Sequence, residues 1–458
     1  MRDFTQGNAA KQIIVFSLPM LIGNIFQQAY TMADTVIVGR FINGEALAAV
    51  GTAGAIINFL LSVLIGLTTG ASVLVSQFYG AKEEEYLNRT VSTSIIFMGA
   101  FSIVISLIGV FGASMLLKLI NVPSDVFDDA KIYLQLIMGS MIFPMFYNVY
   151  TAYMRALGDS KRPLYILILA TILNVILDII FVAYFKWGIP GAAWATIFSQ
   201  IVAFVLCYLY AIKYLPLLRI KKLIFDVKLF KAVLKYSVPA AIQLSITSLA
   251  SLTITRLINS FGAVAVAGYT AATRIDMFAM MPLNNLSMAT STFVAQNIGA
   301  GLEERAQKGF RSAMLFMVGI GIFVSALAVI FGKWMIGLFV DAADPSSTEI
   351  IRVGTEYLSI IAIFYVLFAV FFSFNGFFRG AGDAVIVMIL TITSLTIRTV
   401  SAHILVSQFG FGPEAVAWSI PIGWGLCGLF AFIYYKKRMW VGKAVVNREA
   451  GSVTESGE

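Results

Sequence analysis

Three acidic side chains, Asp34, Asp178 and Asp276, interrupt stretches otherwise apolar enough to cross a bilayer. An unpaired charge there costs several kcal/mol, so intramembrane acids mark ion or substrate paths by default. Asp34 lies six residues before Arg40, about 9 Å along a helix, and Asp178 eight residues before Lys186, about 12 Å. The two therefore sit at similar depth. Gln27, Tyr30 and Asp34 are spaced by three and four, as are Thr171, Asn174 and Asp178, so each helix presents one polar stripe. Neither stripe would face lipid, which points to a shared cavity. Two carboxyls in a low-dielectric site hold a proton more readily than in water, and Asp34, Asp178 and Asn174 are the expected proton-coupling set. The oxygens of Asp34, Asn174, Asp178 and Thr196 could equally serve Na+, and each acid could instead merely tie two helices together. Asp276 has Arg274 two residues away, which predicts a fixed ion pair or network.

The elements that must position these groups follow from composition. The 458 residues carry 59% apolar and 12% charged side chains with a mean hydropathy of +0.87. Soluble domains hold about 25% charged residues, so a soluble enzyme, a nucleic-acid binder and a secreted disulfide scaffold are all disfavoured. Apolar runs predict twelve spans: 13–39, 46–78, 91–117, 132–154, 163–185, 191–212, 232–259, 263–296, 310–335, 355–378, 384–409 and 414–435. The first is too long for a signal-peptide core and reads as retained. With both termini cytoplasmic, 23 of the 32 Lys and Arg fall inside and 6 outside, as positive charge requires. That bias accounts for the net charge of +8 without a nucleic-acid partner. Cys207 and Cys427 are isolated within apolar runs and read as buried small hydrophobes.

The chain repeats itself. Ala46–Gly51 resembles Ala263–Gly268, Val75–Ala81 resembles Val294–Ala300, Arg155-Ala-Leu-Gly-Asp159 resembles Arg379-Gly-Ala-Gly-Asp383, and Ala193-Trp194 resembles Ala417-Trp418. Matches in the same order, with offsets growing from 217 to 224 residues, predict two parallel six-span halves. The expected domains are an N-lobe over 1–213, a cytoplasmic linker over 214–230, a C-lobe over 231–440 and a polar tail over 441–458. Parallel repeats are a transporter architecture in which solute passes between halves by alternating access. At the local offsets Asp34 maps onto Ser251, Asp178 onto Ala402 and Asn174 onto Arg398, so coupling chemistry is expected in the first half alone. Pro19 frees a backbone carbonyl inside span one and is a candidate hinge. Met277, Met280, Met281 and Met288 on span eight could repack around varied apolar ligands, or simply face core and lipid. His403, the single histidine, reads as a packing residue. No phosphate loop, metal cluster or nucleophile with its base is present, so no enzyme activity and no cofactor are expected.

These residues together carry a resemblance. The Gln27-Tyr30-Asp34 span, Val75-Ser-Gln-Phe-Tyr-Gly-Ala-Lys82, Arg155 to Pro163, Asn174-x-x-x-Asp178 and Gly191-Ala-Ala-Trp-Ala-Thr196 resemble the multidrug and toxic compound extrusion (MATE) family over essentially the whole chain. The resemblance implies an all-α integral membrane protein of 12 transmembrane helices in two pseudo-symmetric six-helix lobes around a central cleft. It further implies export of organic, often cationic, compounds in exchange for H+ or Na+. Span seven lacks an acid and span ten has only Glu356 at its mouth, so the chain looks like the DinF-type branch, in which a first-span aspartate is the proton site. Asp34 then matches the coupling acid, and Gln27, Tyr30, Asn174, Asp178 and Thr196 match the polar network of the N-lobe cavity. Asn148 and Thr151 on span four match it less closely. The expected function is a proton-coupled multidrug antiporter, monomeric, in a bacterial or archaeal cell (inner) membrane. The alternatives are a Na+-coupled antiporter and a lipid-linked precursor flippase, which would need basic residues such as Arg256, Arg274 and Arg398 to hold a pyrophosphate.

Overall fold

A computed structural model describes residues 2–220, 222–341, 345–447 and 452–453. The first half comprises α1 (Ala9–Phe41), α2 (Gly44–Ala81), α3 (Glu84–Leu119), α4 (Ser124–Gly139), α5 (Ile142–Ala156), α6 (Lys161–Asp178) and α7 (Ile189–Tyr214). The second comprises α8 (Val227–Asn259), α9 (Ala263–Gly299), α10 (Glu303–Gly337), α11 (Ser347–Ile363), α12 (Tyr365–Gly380), α13 (Ala384–Phe409) and α14 (Glu414–Lys436). Among the described residues nine helices are long and apolar enough to cross a membrane unaided, and α4–α5 and α11–α12 each do so as a bent pair. The remaining element, α9, is 37 residues long but more polar, carrying Arg274, Asp276, Asn284 and Asn285. Every expected span has its counterpart, and the architecture is an all-α membrane protein. A two-residue β ladder, Val446–Asn447 with Ser452–Val453, lies in the tail; 448–451 and 454–458 of the tail lie outside the described residues.

Spans four and ten are broken, contrary to the continuous helices expected. The bends are 48° at Ser140-Met141 and 53° at Phe364. Ser140 and Phe364 occupy matching positions of the repeat. Interrupted helices in corresponding positions of two halves are a pointer to binding sites in transporters.

Contacts divide the chain into two compact units, one of Met1–Asp3 and Leu18–Ala241, the other of Phe4–Ser17 and Ile242–Glu458. The divisions fall inside α1 and α8, beside Pro19 and Pro239, each of which its helix runs through unbroken. Phe16-Ser-Leu-Pro19 and Tyr236-Ser-Val-Pro239 set the register of the first helices at an offset of 220 residues. This corrects the mapping of Asp34, which corresponds to buried Ile254 rather than Ser251.

In the first unit, α2 meets α8 backbone to backbone. A Cβ on Gly66 would lie 2.3 Å from Ala241 Cα, and one on Gly70 would lie 2.4 Å from Ser237 Cα. Small residues four apart allow such approach in membranes, where packing rather than water drives association. Ser237 Oγ adds a hydrogen bond to the Leu67 carbonyl at 2.7 Å. The segment expected as a linker is stitched to α3: Asn88 Nδ2 donates to the Arg219 carbonyl, Ser92 and Thr93 accept from Ile224 and Asp226 N–H, and Arg89 pairs with Asp226 at 2.8 Å.

The Arg-x-x-Gly-Asp pair proves architectural. Gly158 (φ 80°) and Gly382 (φ 92°) turn the chain into conformations that side chains resist. Asp159 Oδ1 then accepts from Lys161 and Arg162 N–H, and Asp383 Oδ1 from Ile386 N–H, satisfying donors that a helix start leaves open. Tyr210 pins Asp159 at 3.3 Å, and Tyr434 pins Asp383 at 2.6 Å. In the second unit, Phe4 is fully buried against Phe16 and Phe293. Arg305 donates to the Phe4 and Gln6 carbonyls and to Gln12 Oε1.

Candidate functional site

Helices α1, α4, α6 and α7 of the first unit build the site. Asn174 and Asp178 are fully buried on α6, one turn apart. With its amide oriented to suit both neighbours, Asn174 donates to Asp178 Oδ2 at 2.9 Å and accepts from the Thr196 N–H at 3.3 Å. Thr196 on α7 in turn shares a 3.4 Å hydrogen bond with the Tyr30 hydroxyl on α1. Asp34, one turn beyond Tyr30, lies within electrostatic reach of Asp178. The predicted stripes on α1 and α6 therefore meet, and α7 joins them.

Each acid keeps one oxygen, Asp34 Oδ1 and Asp178 Oδ1, buried with no hydrogen-bond partner. A buried oxygen left unmatched is costly as an anion and is satisfied by a proton or a cation. Asp178 is also the last α-helical residue before a π-helical stretch, Ile179–Tyr184. Such stretches shift the register of the carbonyls and recur at functional sites; α13, the counterpart of α6, is α-helical throughout. Among the described residues no three His, Cys, Asp or Glu side chains gather, so a cation here would draw on two carboxyls plus Thr196 and Asn174.

Sequence reasoning missed Tyr133. It is buried on α4 and feels Asp34, Tyr30 and Asp178 electrostatically. Other expected members lie apart from this network. Asn148 donates to the Pro144 carbonyl and Thr151 to the Asn148 carbonyl, so both side chains are satisfied within α5. Gln27 is exposed, with its carbonyl accepting from Thr31. Met277 is 56% exposed while Met281 is buried, and Met280 lies between these extremes; all three belong to the second unit. Pro19 is buried.

Asp276 does not pair with Arg274, which is exposed. Residues two apart point to different faces of a helix, and Asp276 Oδ1 instead accepts from the Tyr365 hydroxyl at 2.7 Å. Glu356 on α11 is held by Arg352 at 3.2 Å.

The profile of the MatE family matches residues 19–180 and 239–404, beginning each time at the proline of a first helix. The chain is 29% identical to the "Probable multidrug resistance protein YpnP" of Bacillus subtilis, with 96% of this chain and 97% of that one covered. It is 28% identical to the "Probable multidrug resistance protein NorM" of Thermotoga maritima, with 96% and 95% covered. Among solved structures, a crystal structure of "MATE in the bent conformation" shares the fold at a TM-score of 0.87, with 23% identity over 95% of this chain and 96% of that one.

Proposed function

The chain belongs to the MatE family, a family of multidrug efflux transporters, and on that footing we propose that it is a proton-coupled antiporter. Its cargo is lipophilic, mostly cationic, organic compounds, exported across a bacterial or archaeal cell membrane by alternating access, with both termini cytoplasmic. The observation that carries this reading is the pair of buried, unmatched oxygens on Asp34 and Asp178. Ionised, the pair attracts a cation; protonated, it is neutral and releases one. Tyr30, Asn174 and Thr196 orient the carboxyls, and Tyr133 on α4 lies within their electrostatic reach. The relatives' names, multidrug resistance proteins, support cargo of varied shape.

Na+ is the rival coupling ion, because the same oxygens suit a small cation. A flippase would need several basic side chains gathered on a pyrophosphate, and its candidates Arg256, Arg274 and Arg398 stand on three different helices, α8, α9 and α13. Purified protein in liposomes, given a cationic dye from outside under separately imposed H+ and Na+ gradients, tests the proposal. Uptake driven by the pH gradient alone, and lost in Asp34→Asn, is expected. Movement driven by Na+ with the pH gradient collapsed would overturn it.

A further inference from the structure

Within the second unit, the positions that correspond to the proton site carry different chemistry. Asn174 corresponds to Arg398, Asp178 to Ala402, Thr196 to Ile420 and Tyr133 to Tyr357, all at an offset of 224 residues. Arg398 stands near the middle of α13, about 16 Å from Phe409 and about 21 Å from Ala384 at 1.5 Å per residue. Asp276 on α9 is about 20 Å from Ala263, at like depth. Arg398 lies within electrostatic reach of both Asp276 and Tyr357.

Among the described residues no hydrogen bond or ion pair reaches the Arg398 guanidinium, and its Nε is buried without a partner. Asp276 spends one oxygen on Tyr365, the first residue of α12 after the break at Phe364. A guanidinium with five donors and none engaged is an expensive group to keep at mid-membrane. It is stabilised by an oxyanion that accepts two parallel hydrogen bonds.

We propose that Arg398, beside Tyr357 and the Tyr365-held Asp276, is a cargo subsite for an oxyanion, a carboxylate above all, so that the cargo range extends to zwitterions. Asp276 moderates the attraction, which lets the anion leave again. The subsite rests on the transporter reading only in taking its occupant to be cargo; it needs neither coupling ion.

Binding to the detergent-purified full chain tests it without any gradient. Rhodamine 110 carries a free carboxyl, and rhodamine 123 is its methyl ester. Arg398→Gln should weaken rhodamine 110 by about tenfold or more, the worth of a charge-assisted pair, while rhodamine 123 stays within about twofold. Arg398→Lys should fall between. Asp276→Asn, which removes the opposing charge, should tighten rhodamine 110 alone. Equal weakening of both dyes by Arg398→Gln, or no change in either, overturns the subsite. Should Arg398→Gln fail to fold, Asp276→Asn decides: a loosened or unchanged rhodamine 110 overturns it. Displacement of rhodamine 110 by phosphatidylglycerol but not by phosphatidylcholine would assign the arginine to lipid and overturn the cargo reading. Loss of proton coupling in Asp34→Asn is read separately by transport, so the two proposals can fail independently.

Discussion

The two halves of the chain share an architecture and differ in chemistry. Both bend their fourth span at the same repeat position, and both cap a helix with an aspartate held by a tyrosine. Both carry a buried tyrosine beside the candidate chemistry, Tyr133 in one and Tyr357 in the other. Yet the first half sets two carboxyls with unmatched oxygens against a π-helical segment, while the second sets an unengaged arginine against a single tyrosine-held acid. The duplicated residues are thus those that build turns and close packing. The residues free to diverge are those facing the two polar clusters, which is what a scaffold with grafted sites looks like.

The hardest test of that division is Asp34→Asn. Removing the acid should lower gradient-driven export on the order of a hundredfold, as loss of a proton-transfer group does, and leave the melting temperature near wild type. Export that survives the change would break the comparison at its root. Asp178→Asn should cost about tenfold, because Asp34 still offers its own oxygen; dye transport at several external pH values separates the two.

Packing should fail alike in both halves. Gly70→Leu drives a side chain into Ser237, and Gly376→Leu into the Ser287 carbonyl, 2.5 Å from where Cβ would lie. Each should destabilise by about 3 kcal/mol, the upper range for overpacking. Gly319 has nothing within 4 Å of its Cβ position, so Gly319→Ala should stabilise by roughly 0.5–1 kcal/mol. Melting in detergent measures all three.

What was legible in the sequence follows the same line. Twelve spans could be read because hydropathy over some twenty residues is a strong signal. The bends could not, since Ser140-Met141 and Phe364 leave that average untouched. Asp34 on one helix and Asn174 and Asp178 on another announced themselves as members of a polar stripe along each helix. Tyr133 did not, because a tyrosine near the end of a span also suits the membrane interface. The Asp276–Arg274 expectation failed because closeness in sequence was taken for closeness on a helix surface. The Asp34 register failed because a match in α2 was carried back across the turn before it, where Pro19 and Pro239 set a different offset.

The capping tyrosines sharpen the comparison at lower energy. Tyr434 donates to Asp383 at 2.6 Å in a buried setting, whereas the Tyr210 bond to Asp159 is 3.3 Å and partly exposed. Removing a hydroxyl leaves the carboxylate oxygen unmet where no water can replace it. Tyr434→Phe should therefore cost about 2 kcal/mol of stability and Tyr210→Phe less than about 1 kcal/mol. Equal losses in thermal melts would mean that the two turns are not in different environments after all.

The smallest effect belongs to the paired tyrosines beside the two clusters. Both carboxyls act electrostatically on the Tyr133 hydroxyl, and among the described residues no hydrogen bond joins it to either acid. Tyr133→Phe should therefore shift the pH at which cationic dye export is half-maximal while changing the maximal rate by no more than about fivefold, the equivalent of one modest hydrogen bond. Tyr357→Phe, beside Arg398, should leave that pH profile in place. It should weaken only the carboxylate-bearing dye, again by about fivefold or less. If the two substitutions exchanged their effects, the chemistry would not be partitioned between the halves.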